Sequence, residues 1–222
     1  MLKVGHRGAR AYEPENTLSS FGRALELGVD AVEFDVRMTR DDQVVVIHDG
    51  RVDRTTRGKG SVREMTLRQI KELVLENDQR IPTLEEALDF LDRKVKIIIE
   101  LKENGLEEKV LSLVRDKGFE KDVIIVSFLE KTLSKTRELD DEVETGLIYV
   151  RHRNPIQSAL KLGANYLLPF YRFTHSSDVE KAHQKGLKMI VWTINSREEV
   201  SKYVRKGVDG IASDKPDILS EA

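Results

Sequence analysis

Short apolar, β-branched runs recur along the chain at 2–5, 31–36, 95–101, 123–128, 145–149, 166–169, 188–194 and 208–212. Between most of them apolar residues repeat at helical spacing, over 16–27, 83–93, 106–117, 130–139, 154–162, 176–185 and 196–206, with a short last helix near 215–220. Helix starts are marked by Asn16 before TLSSFGRAL, Thr83 in PTLEEALDFL and Ser196 in NSREEVSKYV, whose side chains accept from the free N–H groups of a first turn. Gly28, Gly118, Gly163, Gly186 and Gly207 stand where those helices should stop, a few residues before the next strand. This alternation is that of a parallel α/β sheet, and eight such units predict a closed (β/α)8 TIM barrel rather than an open doubly wound sheet. No glycine-rich dinucleotide loop follows the first strand, which also speaks against the open form.

One further run, VVVIHD at 44–49, breaks the alternation. A parallel crossover needs a dozen or more residues, so the short turn TRDDQ forces 44–48 to run antiparallel to the end of the second strand, as a hairpin. With Asp41 and Asp42 as the two turn residues, Asp35 falls opposite His48, and Glu33, Asp35 and His48 share one face. A slip of one residue in that register would turn His48 away.

A chain of 222 residues fits a single barrel domain spanning 1–222. A hydrophobic fraction of 39% is enough for a full core, and a net charge of −2 gives no general attraction to nucleic acid or anionic membrane. The absence of cysteine excludes disulfides, thiolate metal sites and cysteine nucleophiles. No apolar run reaches membrane-spanning length and MLKVGHRGARA lacks a signal-peptide core, so a cytoplasmic protein with no stable membrane association is expected. Oligomeric state is not readable.

The chemistry lies in polar residues placed where a strand should be apolar. Glu33 and Asp35 interrupt AVEFDV, and Glu100 and Lys102 share a face of VKIIIELKE opposite Ile97, Ile99 and Leu101. One acid paired with a lysine is often only a structural ion pair. Three acids pointing inward at the C-terminal ends of two strands would each cost several kcal/mol unpaired, and so call for a cation. Oxygen ligands without cysteine favour Mg²⁺, Mn²⁺ or Ca²⁺ over zinc. His6 and Arg7 leave the first strand at the same rim, where active sites of this fold lie. Two histidines beside an acid cluster suit proton donation and acceptance near neutral pH, and Arg7 with Lys102 suits the non-bridging oxygens of a phosphoryl group. The combination points to phosphoryl-oxygen cleavage.

Other polar and aromatic residues read more plainly. Asn16 in PENT reads first as a helix N-cap and second as a direct contact in the site, with Glu15 a candidate for a place behind the site. Trp192, two residues before the end of the penultimate strand, either fills the barrel top or forms an apolar wall for a substrate's organic part, and Phe128 is a weaker case of the same kind. His152, His175 and His183 lie on loops or helices with no acid partner in view.

The segments HRGA…PENT, VEFDVRMTRDDQVVVIHD, RTTRGKG, IPTLEEAL, IIIELK, VSF, VWTIN and GIASDKPD come in an order and spacing that resembles the glycerophosphodiester phosphodiesterases over nearly the whole chain. The resemblance implies a barrel enzyme that uses one divalent cation, Mg²⁺ or Ca²⁺ with Mn²⁺ a further candidate, to hydrolyse glycerophosphodiesters to an alcohol and sn-glycerol 3-phosphate. It places the catalytic pair on His6 and His48 and the metal ligands on Glu33, Asp35 and Glu100. Phosphate contacts fall on Arg7 and Lys102, and the glycerol side on Phe128 and Trp192. Residues 50–82 match an insertion between the second barrel strand and its helix, in a compact version that leaves the leaving alcohol open. An aldolase-like barrel has less use for two histidines beside an arginine, and a non-catalytic binder would not need both. A membrane-lipid phospholipase finds no apolar loop or amphipathic basic stretch at the rim to support it.

Overall fold

The computed structural model describes residues 1–220. Strands β1 (Leu2–His6), β2 (Ala31–Met38), β4 (Lys96–Leu101), β5 (Val123–Ser127), β6 (Glu144–Tyr149), β7 (Tyr166–Pro169), β8 (Lys188–Val191) and β9 (Gly210–Ser213) run parallel in chain order. Pairing of β1 with both β9 and β2 closes them into the expected barrel. Helices α1 (Leu18–Glu26), α3 (Leu84–Leu91), α4 (Glu107–Asp116), α5 (Glu130–Leu139), α6 (Pro155–Lys161), α7 (Ser176–His183) and α8 (Arg197–Arg205) surround it, and the last short helix is a 3₁₀ turn, Pro216–Leu219. Among the described residues no helix is long and apolar enough to cross a membrane.

Period-two alternation sorts side chains between two cores. Val32, Phe34 and Val36 of β2 and Ile97, Ile99 and Leu101 of β4 face outward, where they pack with buried residues of the surrounding helices such as Phe21, Leu84 and Val110. Val4, Ile98, Ile124, Val126, Ile148 and Ile190 fill the barrel interior. Full burial of each such side chain is worth about 1.5–3 kcal/mol, so both layers contribute heavily to the fold. The five glycines expected at helix ends all take positive φ.

Thr83 and Ser196 cap α3 and α8 as expected, accepting from the backbone N–H groups of Glu86 and Glu199. The cap of α1 is Thr17 instead of Asn16; its hydroxyl accepts from Ser20 N, while Asn16 sits at φ 59° and turns its amide elsewhere.

Strand β3 (Val44–Val46) pairs antiparallel with β2, as the short turn requires, but the register differs from expectation. Val36 faces Val46 and Arg37 faces Val45, and the turn closes with Thr39 N donating to Gln43 O. The connection therefore has three residues, Arg40 to Asp42, with Asp42 at φ 56°; this left-handed third residue lengthens the turn and shifts the ladder by one. Continued regularly, the ladder would set Ile47, not His48, opposite Asp35, and Ile47 N does donate to Asp35 O. The strand ends at Val46, however, and the chain bends before His48.

The edge used by β3 decides where that bend leads. Val36 O accepts from Lys102 N on the β4 side, whereas Asp35 O accepts from Ile47 N. Neighbouring residues of a strand direct their backbone groups to opposite edges, so β3 lies on the β1 edge of β2. β1 stops at His6, opposite Glu33. β3 runs back down the edge that β1 vacates and delivers His48 toward His6.

Residues 51–82 add α2 (Leu67–Glu72) and two 3₁₀ turns, around a small core in which Val52, Val62, Ile70 and Ile81 pack on Val45 and Ile47 of the hairpin. The insertion thus braces the arm of the hairpin that leads to His48.

Candidate functional site

At the C-terminal mouth of the barrel a cavity of about 120 Å³ is bordered by His6, Arg7, Glu33, His48, Glu100 and Lys102. Phe128 and Trp192 line its other side, with rings in edge-to-face contact at 5.7 Å. Trp192 lies just beyond the end of β8, and its Nε1–H donates to Leu168 O. The sequence-predicted residues therefore converge on one cavity, and Asp35 joins them through direct contacts described below.

Backbone geometry sets the charged half. After β1 the chain turns at Arg7 (φ 53°) and Gly8 (φ 82°). A Cβ on Gly8 would lie 2.6 Å from the backbone carbon of Ser20, so only glycine lets the loop pack on α1. This turn aims Arg7 N at Glu33 Oε2 (2.9 Å) and brings Arg7 Nε to 3.2 Å from Asp35 Oδ2. Asn16 clasps Asp35 from both ends: its Nδ2 donates to Oδ2 at 2.9 Å and its Oδ1 accepts from Asp35 N at 3.3 Å. Its role is to hold a buried carboxylate, and Thr17 is free to do the capping.

The three buried acids Glu33, Asp35 and Glu100 each place a carboxylate oxygen within 4.8 Å of the others. Lys102 Nζ reaches Glu100 Oε1 at 2.6 Å and Asp35 Oδ1 at 3.4 Å, the latter outside hydrogen-bond geometry. Burial, together with the charges of Asp35 and Glu100, lifts the Glu33 carboxyl well above the usual range. Burial and the Asp35 charge push Glu100 up to about 7. Burial acts upward on Asp35 too, but Arg7, Lys102, His48 and the Asn16 hydrogen bond outweigh it and hold its carboxyl low.

Such a cluster fits a divalent cation. Three carboxylates face two cations, Arg7 and Lys102, so the fully ionised cluster carries excess negative charge, and two of its members respond by favouring the protonated form. Asp35 Oδ1 is buried without a hydrogen-bond partner. An orphaned buried oxygen beside two reluctant carboxylates is what a hard cation relieves.

Each histidine is held by its own aspartate. His6 Nδ1 lies 2.6 Å from Asp214 Oδ1, and His48 Nδ1 lies 2.6 Å from Asp49 Oδ1. An ionised carboxylate only accepts, so both Nδ1 atoms carry the proton and both Nε2 atoms are left to exchange protons. His6 Nε2 faces Glu33 Oε2 at 3.9 Å. Burial is the main influence on both rings and lowers their pKa, overriding the neighbouring carboxylates. The aspartates are kept ionised. Burial acts upward on Asp214, but the bond from His6, the charges of His6 and Arg10 and the bond from Asn195 together outweigh it, while Asp49 is held far below its ordinary value chiefly by Arg54.

Arg54, from the insertion, also binds both oxygens of Glu15, at 2.7 and 3.1 Å. Glu15 in turn accepts from Arg7 Nη1 at 2.9 Å, so it stands behind the site as expected. A chain of charges thus links the loop after His48 to the loop after His6.

Sequence reasoning missed Asp49, Asp214 and Arg54. Asp214 directly follows the last barrel strand, at the rim where active sites of this fold lie, and Asp49 directly follows His48. Arg54 carries no local signal. Two of the remaining histidines correct another expectation, since His152 meets Glu130 at 3.1 Å and His183 meets Asp209 at 2.8 Å.

Residues 6–218 match the model of the glycerophosphoryl diester phosphodiesterase family. A glycerophosphodiester phosphodiesterase of Caldanaerobacter subterraneus subsp. tengcongensis is 37% identical over 232 residues, covering 98% of this chain and 96% of its own. The crystal structure of a glycerophosphodiester phosphodiesterase from Agrobacterium tumefaciens superposes with a TM-score of 0.91 at 28% identity over the whole of both chains. An Oleispira antarctica phosphodiesterase, solved in complex with the product sn-glycerol-3-phosphate, gives 0.90 at 26% identity, covering 98% of this chain and 94% of that one.

Proposed function

Because the chain belongs to the glycerophosphoryl diester phosphodiesterase family, we propose that it hydrolyses glycerophosphodiesters to an alcohol and sn-glycerol 3-phosphate at this site. The reading treats residues 1–222 as one barrel domain with an insertion at about 50–82. The observation that carries it is the pair of aspartate-held histidines beside three buried acids. The product-bound Oleispira relative supports the choice of product.

Glu33, Asp35 and Glu100 would hold one divalent cation, Mg²⁺ or Ca²⁺ with Mn²⁺ a further candidate. Such an ion polarises the phosphoryl oxygens and neutralises developing charge. Arg7 and Lys102 orient the non-bridging oxygens, and Phe128 and Trp192 cover the carbon face of the glycerol. One imidazole Nε2 takes a proton from the nucleophile, water or the glycerol 2-hydroxyl, as its oxygen bonds to phosphorus. The other imidazole, protonated, gives its proton to the departing alkoxide as the second P–O bond breaks. When the 2-hydroxyl attacks, water then opens the cyclic phosphate by the same exchange in reverse. Asp49 and Asp214 hold the two rings in the tautomer this exchange needs.

Release of glycerol 3-phosphate from glycerophosphocholine, measured with and without chelator, tests the reading. Turnover abolished by chelator and restored by Mg²⁺ or Ca²⁺ is expected. No release in either condition, or release indifferent to chelator, would refute it.

A further inference from the structure

Apart from Asp214, which follows β9 and holds His6, the charged residues of the mouth come from β1, β2, the hairpin and β4. The opposite side of the cavity, from β5 to β9, is aliphatic: Val126, Ile148, Leu168, Ile190 and Ala212 line it, beneath Phe128 and Trp192. The loops above that side continue the division. After β5, β6, β7 and β8 they read Phe128–Leu129, 150–154 (VRHRN), 170–175 (FYRFTH) and 192–196 (WTINS), without an acid in any of them.

Phe128, Val150 and Phe173 on these loops are 41%, 42% and 42% exposed, unusual for large apolar side chains. The two phenylalanines adjoin the cavity through touching rings: Phe128 meets Trp192, Trp192 meets Phe170 at 5.4 Å, and Phe170 meets Phe173 at 5.9 Å. Arg151, Arg153 and Arg172 are exposed among them. Arg151 lies over the Phe173 ring at 4.3 Å and Arg172 Nε donates to Tyr171 Oη. Among the described residues none of the three forms an ion pair with a carboxylate. Nearby acids, in the first turns of α5, α7 and α8, are engaged: Glu130 by His152, Asp178 by His175 N and Glu199 by Lys202 Nζ, though the Glu199 charge still acts on Arg172.

We propose that this half of the rim is a docking surface for an anionic lipid bilayer, with Phe128, Val150 and Phe173 entering the interfacial layer and Arg151, Arg153 and Arg172 meeting lipid phosphates. Charge complementarity selects this partner. Three unpaired arginines around exposed aromatic and aliphatic side chains match a surface that is anionic outside and apolar beneath. A protein partner of ordinary polarity would leave those guanidinium groups buried without carboxylates. The contact is peripheral and reversible, because it uses side chains on short loops and no inserted helix. No single loop carries the signal, which exists only once the barrel gathers three of them.

The test is co-sedimentation of the full chain with vesicles of phosphatidylglycerol or of phosphatidylcholine at low ionic strength. Binding to phosphatidylglycerol and little to phosphatidylcholine is expected. Exchange of Arg151, Arg153 and Arg172 together for Gln should weaken it about 10²-fold, at roughly fivefold per charge. Phe173→Ser should weaken it severalfold as well. Both variants should keep wild-type turnover of soluble glycerophosphocholine, which shows that they are folded; should the wild type lack that activity, matching melting temperatures serve instead. Equal binding to both vesicles, or binding untouched by the triple exchange, would overturn the proposal. So would loss with the triple exchange but full retention in Phe173→Ser, since attraction by charge alone also fits nucleic acid.

Discussion

Replacing Glu100 with Gln should stabilise the metal-free protein at alkaline pH while impairing its chemistry. The Glu100 carboxyl rises from its ordinary 4.5 to about 7 in the folded chain, through burial and the Asp35 charge. A group raised on folding gives stability that is complete below its unfolded pKa and lost as pH climbs through the folded value. At about 1.4 kcal/mol per pH unit, the loss between pH 4.5 and pH 8 amounts to roughly 3 kcal/mol. Gln cannot ionise and escapes that loss. Metal-free Glu100→Gln and wild type should therefore melt at similar temperatures at pH 5. At pH 8 the variant should melt higher by about 6–12 °C, at roughly 2–4 °C per kcal/mol for a chain of this size. Mg²⁺ should close or reverse the gap at pH 8, since an ion at one hundred times its dissociation constant adds about 2.7 kcal/mol to the protein that binds it. Thermal melts of both proteins in chelator and in Mg²⁺, at pH 5 and pH 8, measure all of this. A variant less stable than wild type in chelator at pH 8, or a pH-independent gap, would refute the idea that Glu100 is a strained, cation-seeking carboxylate.

Two predictions concern the histidines. His6→Ala and His48→Ala should each lower the rate of glycerophosphocholine turnover by about 10²–10⁴-fold, and the double variant by far less than the product, because the two transfers serve one displacement; multiplicative losses would count against paired roles. Asp214→Asn should lower kcat on the order of 10²–10⁴-fold with little change in KM, because an amide at that place no longer fixes the His6 Nδ1–H tautomer, and the acid limb of the pH–rate profile should shift; an unchanged profile would make Asp214 merely structural.

The barrel was legible because short β-branched runs alternate regularly with amphipathic stretches that end in glycine, and because the TRDDQ turn is too short for anything but a hairpin. The hairpin register was not legible. Asp42 takes a left-handed conformation, which makes the turn one residue longer than assumed. His48 still reaches the site, for a different reason: its strand stops at Val46 beside the edge that β1 leaves open. Asn16 shows how local and tertiary signals compete, since Thr17 beside it supplies an equally good cap and frees Asn16 for Asp35. Arg54 lies 39 residues from Glu15 in sequence, and the basic, aromatic half of the rim is spread over four loops, so only the folded chain brings either together.

Turnover should depend on a cation held by Glu33, Asp35 and Glu100. Anomalous diffraction from crystals grown with Mn²⁺ tests it most directly. One strong peak bounded by the carboxylates of Glu33, Asp35 and Glu100, absent from crystals of Glu100→Gln, is predicted. An empty cluster in crystals of protein that is active with Mn²⁺, or a sole peak elsewhere on the chain, would contradict it.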